Sequence, residues 1–192
     1  MTGPLRIVGV SGSLREPSKT TALVRAIVDD VASREAGAET RIIEVAALGP
    51  SFAGALRRED VAPEVEDALR AIETADLLVV ASPVYRASFT GLFKHLFDFV
   101  GQYSLVGTPV LLAATGGGER HALILEHQLR PLFGFFQALT LPLGVYASDS
   151  DFDGFELASP EVRARVRQAV GRSLPLIAQA AEQSLSDYVA TW

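Results

Sequence analysis

Between Ser11 and Thr21 the chain reads SGSLREPSKTT, eleven residues that carry five hydroxyls, an arginine and a lysine. Hydroxyls beside cations are equipment for holding an anion. A short apolar run, Leu5 to Val10 (LRIVGV), comes before this loop, and TTALVRAIVDDVASR, with the pattern of a helix, follows it. A loop between a buried strand and a helix N-terminus gathers backbone N–H groups that lack carbonyl partners, and the helix dipole adds partial positive charge at the same spot. Ser11, Ser13, Ser18, Thr20 and Thr21 can donate hydroxyls, and Arg15 and Lys19 can add full charge. One small, oxygen-rich anion, such as a phosphate, suits this set. A dinucleotide fingerprint would need a third glycine after Gly9 and Gly12, and a Walker loop would need glycine where Ser18 precedes Lys19-Thr20. A response-regulator pocket would need acidic residues directly after the first strand. A plainly capped helix would account for one or two of the hydroxyls but not for five with Arg15 among them.

Two further segments add donors of a different kind. PVYRASF, from Pro83, offers a rigid strand end, the ring or hydroxyl of Tyr85 and the charge of Arg86. Pro83, Val84, Tyr85 and Arg86 can run along the edge of a flat heterocycle, although by themselves they also read as an ordinary strand-to-helix turn. Thr115, Gly116, Gly117 and Gly118 form the second segment. Consecutive glycines let backbone approach a planar ligand closely, and by themselves they also read as a flexible loop. Taken together, the three segments describe a ligand with a phosphate at one end and a planar, hydrogen-bonding ring at the other.

The elements that must position these loops alternate along the chain. Apolar runs predict strands at Leu5–Val10, Thr40–Val45, Leu77–Pro83, Pro109–Thr115 and Thr140–Tyr146, the last weakened by Pro142. Helical periods lie near residues 19–35, 63–75, 89–101, 120–138 and 160–183. Pro63 and Pro160 stand at first helical positions, and Ser159 is placed to cap the last helix. Continuous apolar strands separated by helices imply an α/β fold, a doubly wound parallel sheet covered on both faces. Five strands with a phosphate loop after the first give the flavodoxin-like order 2-1-3-4-5, in a single domain over residues 1–192. Ligands of such sheets bind beyond the C-terminal strand ends, where all three loops fall. Residues 46–62 read as an irregular surface loop that can reach the ligand or a partner subunit.

Composition narrows the classes. The apolar fraction of 48% fits a globular chain, and no long uncharged apolar run predicts a membrane span. The N-terminus lacks the pattern of a secretory signal, so a cytoplasmic protein is expected. The absence of Cys excludes disulfides, thiolate chemistry and Cys-based metal sites, and the three histidines are too scattered for a metal centre. A net charge of −6 argues against nucleic acid as a partner. Asp149–Gly154 begins like a calcium loop, but its twelfth position is Pro160 instead of Glu, so it reads as an acidic surface loop. His95 and Asp98, set among Phe93, Leu96, Phe97 and Phe99, read as packing or oligomer contact.

GSLREPSKTTAL at 12–23, ASPVYRASFTGLFKHLFD at 81–98 and ATGGGERHALILEHQLRPLF at 114–133 are where the chain resembles a known family, the flavodoxin-like NAD(P)H-dependent FMN reductases. The resemblance extends over most of residues 5–147. The third segment is most similar to the branch that supplies reduced FMN to sulfonate monooxygenases of the methanesulfonate type. The resemblance implies that Ser11, Ser13, Arg15, Ser18, Lys19, Thr20 and Thr21 hold the FMN phosphate. It implies that Pro83, Val84, Tyr85 and Arg86 line the isoalloxazine, and that Thr115, Gly116, Gly117 and Gly118 close its other edge. It further implies NADPH or NADH as reductant, FMN bound loosely or as a substrate, a partner flavin-dependent monooxygenase, and a homodimer or homotetramer. No side-chain acid, base or nucleophile is expected, since the cofactor carries the chemistry. An FMN-retaining quinone, azo or chromate reductase and a non-enzymatic flavodoxin-type electron carrier are the competing readings. Flavodoxin phosphate loops lack an arginine like Arg15.

Pro131 lies inside the helical pattern of residues 121–139, where it leaves the carbonyl of His127 without its usual donor. A kink or a π-bulge near His127 is expected. The resemblance sharpens this expectation, because reductases of the sulfonate systems carry a one-residue insertion here that makes a π-helix at the tetramer interface, and His127 aligns with it.

Overall fold

The computed structural model describes residues 3–182. The elements run β1 (Arg6–Ser11), α1 (Lys19–Ala32), β2 (Glu39–Glu44), α2 (Val45–Leu48), α3 (Pro63–Glu73), β3 (Leu77–Pro83), α4 (Gly91–Asp98), β4 (Pro109–Gly116), a π-helical turn (Leu125–Leu129) and α5 (Arg130–Phe135). They end with β5 (Leu139–Thr140), β6 (Val145–Ser148), the hairpin strands β7 (Phe152–Asp153) and β8 (Glu156–Leu157), and α6 (Pro160–Glu182). The main sheet is parallel with order β2-β1-β3-β4-β5, and β6 also pairs with β4. This is the flavodoxin-like order that the strand pattern predicts. The end of α6, expected near residue 183, lies at the limit of the described residues.

Alternation along each strand sends its side chains to opposite faces. Val8, Val10, Leu78, Val80, Val110 and Leu112 join one core, closed by Leu69 and Ile72 of α3, Phe93 and Phe97 of α4, and Phe133 of α5. Ile7, Leu77, Val79 and Leu111 join the other, closed by Leu23, Val24 and Ile27 of α1 and Val166 and Val170 of α6. Each fully buried side chain of this size contributes about 1.5–3 kcal/mol. Gly9 lets α1 sit close, because a Cβ there would lie 2.6 Å from Val24 Cγ1 and 2.7 Å from Ile42 Cδ1.

Three sequence expectations are modified. The fifth strand, expected unbroken at Thr140–Tyr146, is two short strands, β5 against Pro109–Val110 and β6 against Ala113–Gly116 of β4. Pro142 lacks the N–H that would continue the ladder. Side chains cover the interrupted backbone: Arg130 donates to the Leu141 carbonyl (3.1 Å) and Arg165 to that of Gly144 (3.0 Å). The helix expected over 120–138 is composite, a 3₁₀ turn at Glu119–His121 followed by the π turn and α5. In the π turn the N–H of Arg130 reaches the carbonyl of Leu125, five residues back, and His127 lies in the middle, as the position of Pro131 predicts. Residues 46–62 are not wholly surface, because Phe52 is buried in the core against His95, with ring centroids 5.7 Å apart. Arg58 of this segment bonds Glu66 and Glu73 of α3 and the Phe99 carbonyl, tying it to two helices.

Candidate functional site

The C-terminal ends of β1, β3, β4 and β6 are in register, with Ser11 beside Ala81, Pro83 beside Thr115 and Gly116 beside Ser148. The loops leaving these ends are stitched together. Gly12 donates its N–H to the Ala81 carbonyl (2.7 Å), and its own carbonyl accepts from the Thr90 hydroxyl (2.7 Å). A Cβ on Gly12 would lie 2.7 Å from the Phe93 ring, so the close approach requires glycine.

The hydroxyls of the first loop divide the work. Ser11 is fully buried and accepts from Thr21, whose hydroxyl also lies 3.2 Å from Glu44 Oε2. Thr20 and Thr115 share a buried hydroxyl contact of 2.6 Å that fastens this loop to the end of β4. Ser18 caps α1, its Oγ accepting from the Thr21 N–H (3.2 Å). Ser13 is buried and bonds the backbone of Arg15 through both its donor and its acceptor. The Lys19 ammonium is paired with Asp149 at 2.7 Å. Ser11, Thr20, Thr21 and Ser18 therefore fix the shape of the loop. The exposed Arg15 and the N–H groups of Lys19 and Thr20, which have no carbonyl partner in the first helical turn, remain for an anion.

The second segment is built under strain. The Val84 N–H bonds the Thr115 carbonyl (2.8 Å), and Tyr85 and Ser88 exchange two backbone hydrogen bonds across Arg86 and Ala87. Both central residues are left-handed, with φ of 49° and 67°. That conformation normally selects Asn-Gly, and it costs roughly 1–2 kcal/mol per residue with a Cβ. Tyr85 is 40% exposed, a flat ring at the lip of the site. Ser88 donates to Gln128 Oε1 (3.1 Å), a residue of the π turn.

In the third segment Thr115 is buried, while Gly117 is open. A Cβ on Gly116 would lie 2.6 Å from Tyr146 Oη and 3.4 Å from Val84 Cγ2, so only bare backbone fits between them. Tyr146 donates to the Gly118 carbonyl (2.7 Å) and holds the glycine run in place. Burial, reinforced by Glu119, Asp149 and Asp151 and opposed by that hydrogen bond, pushes its phenol above the ordinary value. Tyr146, Asp149, Thr90 and Gln128 are not singled out for the site by the sequence. Each acts through a partner far away in the chain, so local pattern gave no signal beyond the position of Tyr146 and Asp149 at a strand end. Among the described residues no group of three His, Cys, Asp or Glu could hold a metal ion, and no helix is long and apolar enough to cross a membrane.

A helix N-terminus with an arginine, a lip bearing Tyr85, and a glycine wall on adjacent parallel strand ends suit a flavin mononucleotide, phosphate at one end and flat ring at the other. Comparison with known proteins agrees. Residues 5–153 match the family described as NADPH-dependent FMN reductase. The chain is 49% identical to an FMN reductase (NADPH) of Pseudomonas aeruginosa over 176 residues, 92% of this chain and 94% of the relative. It is 51% identical, with the same coverage, to the NADH-dependent FMN reductase SfnE of Pseudomonas putida. An oxidoreductase of Corynebacterium diphtheriae, solved by X-ray crystallography, superposes with a TM-score of 0.79 at 33% identity, covering 95% of this chain and all of that one. The chain belongs to the NADPH-dependent FMN reductase family.

Proposed function

We propose that this chain, acting as one flavodoxin-like domain in the cytoplasm, reduces FMN with NADH or NADPH and passes it to a flavin-dependent monooxygenase, a sulfonate monooxygenase by the likeness of residues 114–133. The observation that carries the reading is the Thr20–Thr115 contact, which locks the anion-binding end of α1 to the glycine end of β4. FMN, when bound, supplies the ring atom that accepts hydride from the nicotinamide.

The chain's own contribution is binding and placement. Arg15, with the N–H groups of Lys19 and Thr20 inside the loop shaped by Ser11, Ser13, Ser18 and Thr21, takes the phosphate. Pro83, Val84, Tyr85 and Arg86 border the ring. Thr115, Gly116, Gly117 and Gly118 present bare backbone to its other edge, where N–H donors can meet charge that grows on reduction. Leu123 and Phe135, 63% and 62% exposed near the π turn and α5, suit a homodimer or homotetramer built partly on residues 89–101 and 120–138.

The deciding experiment follows NADH and NADPH oxidation by flavin-free protein with and without added FMN. Activity that rises with free FMN supports the reading. Retained flavin with ping-pong turnover of quinones would replace it with a quinone or azo reductase. Bound flavin with negligible nicotinamide oxidation would replace it with an electron carrier.

A further inference from the structure

Lys19 stands at the first position of α1, yet its ammonium is committed elsewhere. It lies 2.7 Å from Asp149 Oδ1 and 3.4 Å from the Asp149 carbonyl, and it sits 5.7 Å from the centroid of the Phe152 ring. Asp149 is held there by a built turn. The Asp151 carboxylate accepts from both the N–H and the hydroxyl of Ser148, each at 2.7 Å, and its carbonyl accepts from the N–H groups of Ala158 and Ser159. The Asp149 carboxylate also borders the glycine wall, because a Cβ on Gly117 would lie 3.8 Å from its Oδ2. A fixed negative charge therefore sits between the anion-binding loop and the glycine run, and it neutralises one of the two cations of that loop.

Resting on the FMN reading above, we propose that Asp149 is an affinity-setting residue, which occupies Lys19 and opposes the phosphate so that FMN is held weakly enough to exchange as a substrate. Asp149 side-chain exposure of 66% keeps the pair partly solvated, so its influence on a nearby dianion is modest and falls with salt. Exchange of one carboxylate for an amide changes the local charge by one unit. In a solvated site that amounts to about fivefold in affinity for the phosphate.

The test measures dissociation constants for FMN and riboflavin by flavin fluorescence, at low and at high salt, for the wild type, Asp149→Asn, Lys19→Met and the double variant. Asp149→Asn is expected to tighten FMN about fivefold at low salt with riboflavin unchanged. Lys19→Met leaves Asp149 unpaired and should weaken FMN by a similar factor, about fivefold, whereas the double variant, with both charges gone, should bind FMN close to the wild type. An unchanged FMN-to-riboflavin ratio in Asp149→Asn, repeated in Asp149→Ser as a second variant, overturns the proposal. So does a double variant that stays as weak as Lys19→Met, because Lys19 would then serve the phosphate directly. Wild type that binds both flavins equally overturns the phosphate site itself, a result distinct from a wild type that prefers FMN with a silent Asp149.

Discussion

The loop after β1 and the turn after β3 leave the same edge of the sheet and are held by different physics. The first has unstrained local contacts, with Ser18 capping its own helix, Thr21 reaching Ser11 ten residues back and Ser13 folding onto Arg15, beside its ties to Ala81, Thr90 and Thr115. The second is a turn whose two central residues sit in a conformation their side chains oppose, and it keeps that shape through ties to β4 and the π turn. On the proposed reading, the first is a receptacle preformed for a constant group, the phosphate. The second borrows its geometry from neighbours, so whatever moves the π turn is felt in this turn and, on the proposed reading, at the ring end of the flavin.

The sharpest test of that difference is deletion of His127. Arg130 reaches back five residues to Leu125 in the π turn. With one residue removed the same bond spans four, so both flanks keep their places and the turn becomes α-helical. The expected outcome is a folded variant that purifies yellow, with FMN release slowed at least about tenfold and poor turnover of free flavin (each tenfold being about 1.4 kcal/mol). Stopped-flow release of FMN measures it. A colourless variant fully active with free FMN would separate the π turn from flavin exchange.

Arg15→Ala should strike only the preformed end. A charge-assisted hydrogen bond deep in a protein would be worth about 2–3 kcal/mol. Arg15 is exposed, so about 1.5 kcal/mol, roughly tenfold in FMN affinity, is the better figure. Riboflavin, without the phosphate, should bind as before. Titration of both flavins into both proteins decides this, and an equal loss for the two would remove Arg15 from the phosphate site.

Which parts were readable from sequence follows the same division. The strands themselves, the cap at Ser18 and Pro63 and Pro160 at helix starts depend on neighbours in the chain, and local pattern carries them, while the strand order follows from the alternation of elements with the loop after the first strand. Pro131 announced the π turn because a missing N–H is a local fact. The split of the fifth strand at Pro142 was half visible, since the proline showed weakness while the rescue by Arg130 and Arg165 is tertiary. Phe52 was read as surface because only the fold brings His95 and Phe99 to it. The pairing of Lys19 with Asp149 is not legible from the loop, because Asp149 lies 130 residues away.

Ser148→Ala probes the turn that holds Asp149, on the preformed side. Ser148 and Asp151 form a reciprocal cap. Burial works against the Asp151 charge, but the Ser148 hydroxyl and N–H outweigh it and hold the carboxyl below its usual range. A depressed carboxyl stabilises the fold above its unfolded value near 3.8 and loses that contribution as pH falls through the folded value. Loss of the hydroxyl should cost about 1 kcal/mol at neutral pH, and the difference between variant and wild type should shrink as pH drops below the unfolded value. Urea midpoints across that range check the sign, and a difference that grows toward acid would contradict it.

The smallest expected effect belongs to Gln128→Ala, and it tests the borrowed geometry directly. The Ser88–Gln128 hydrogen bond is partly buried, so its loss is worth about 0.5–1 kcal/mol, roughly two- to fivefold. The turn it supports holds Ala87 at φ 67°, where a Cβ is unfavourable. Loss of the tie should let Arg86 and Ala87 relax toward ordinary backbone, which raises the KM for FMN two- to fivefold while kcat changes little. If the cause is strain, Ala87→Gly in the same background should restore most of the KM, because glycine adopts the left-handed conformation without the Cβ penalty. A purely structural loss elsewhere would not respond to Ala87→Gly. Amide hydrogen exchange at Tyr85 and Ser88, whose N–H groups close the turn, gives the second readout. Faster exchange in Gln128→Ala that slows again in the double variant places the strain in the turn, whereas unchanged exchange would mean that β4 alone holds it.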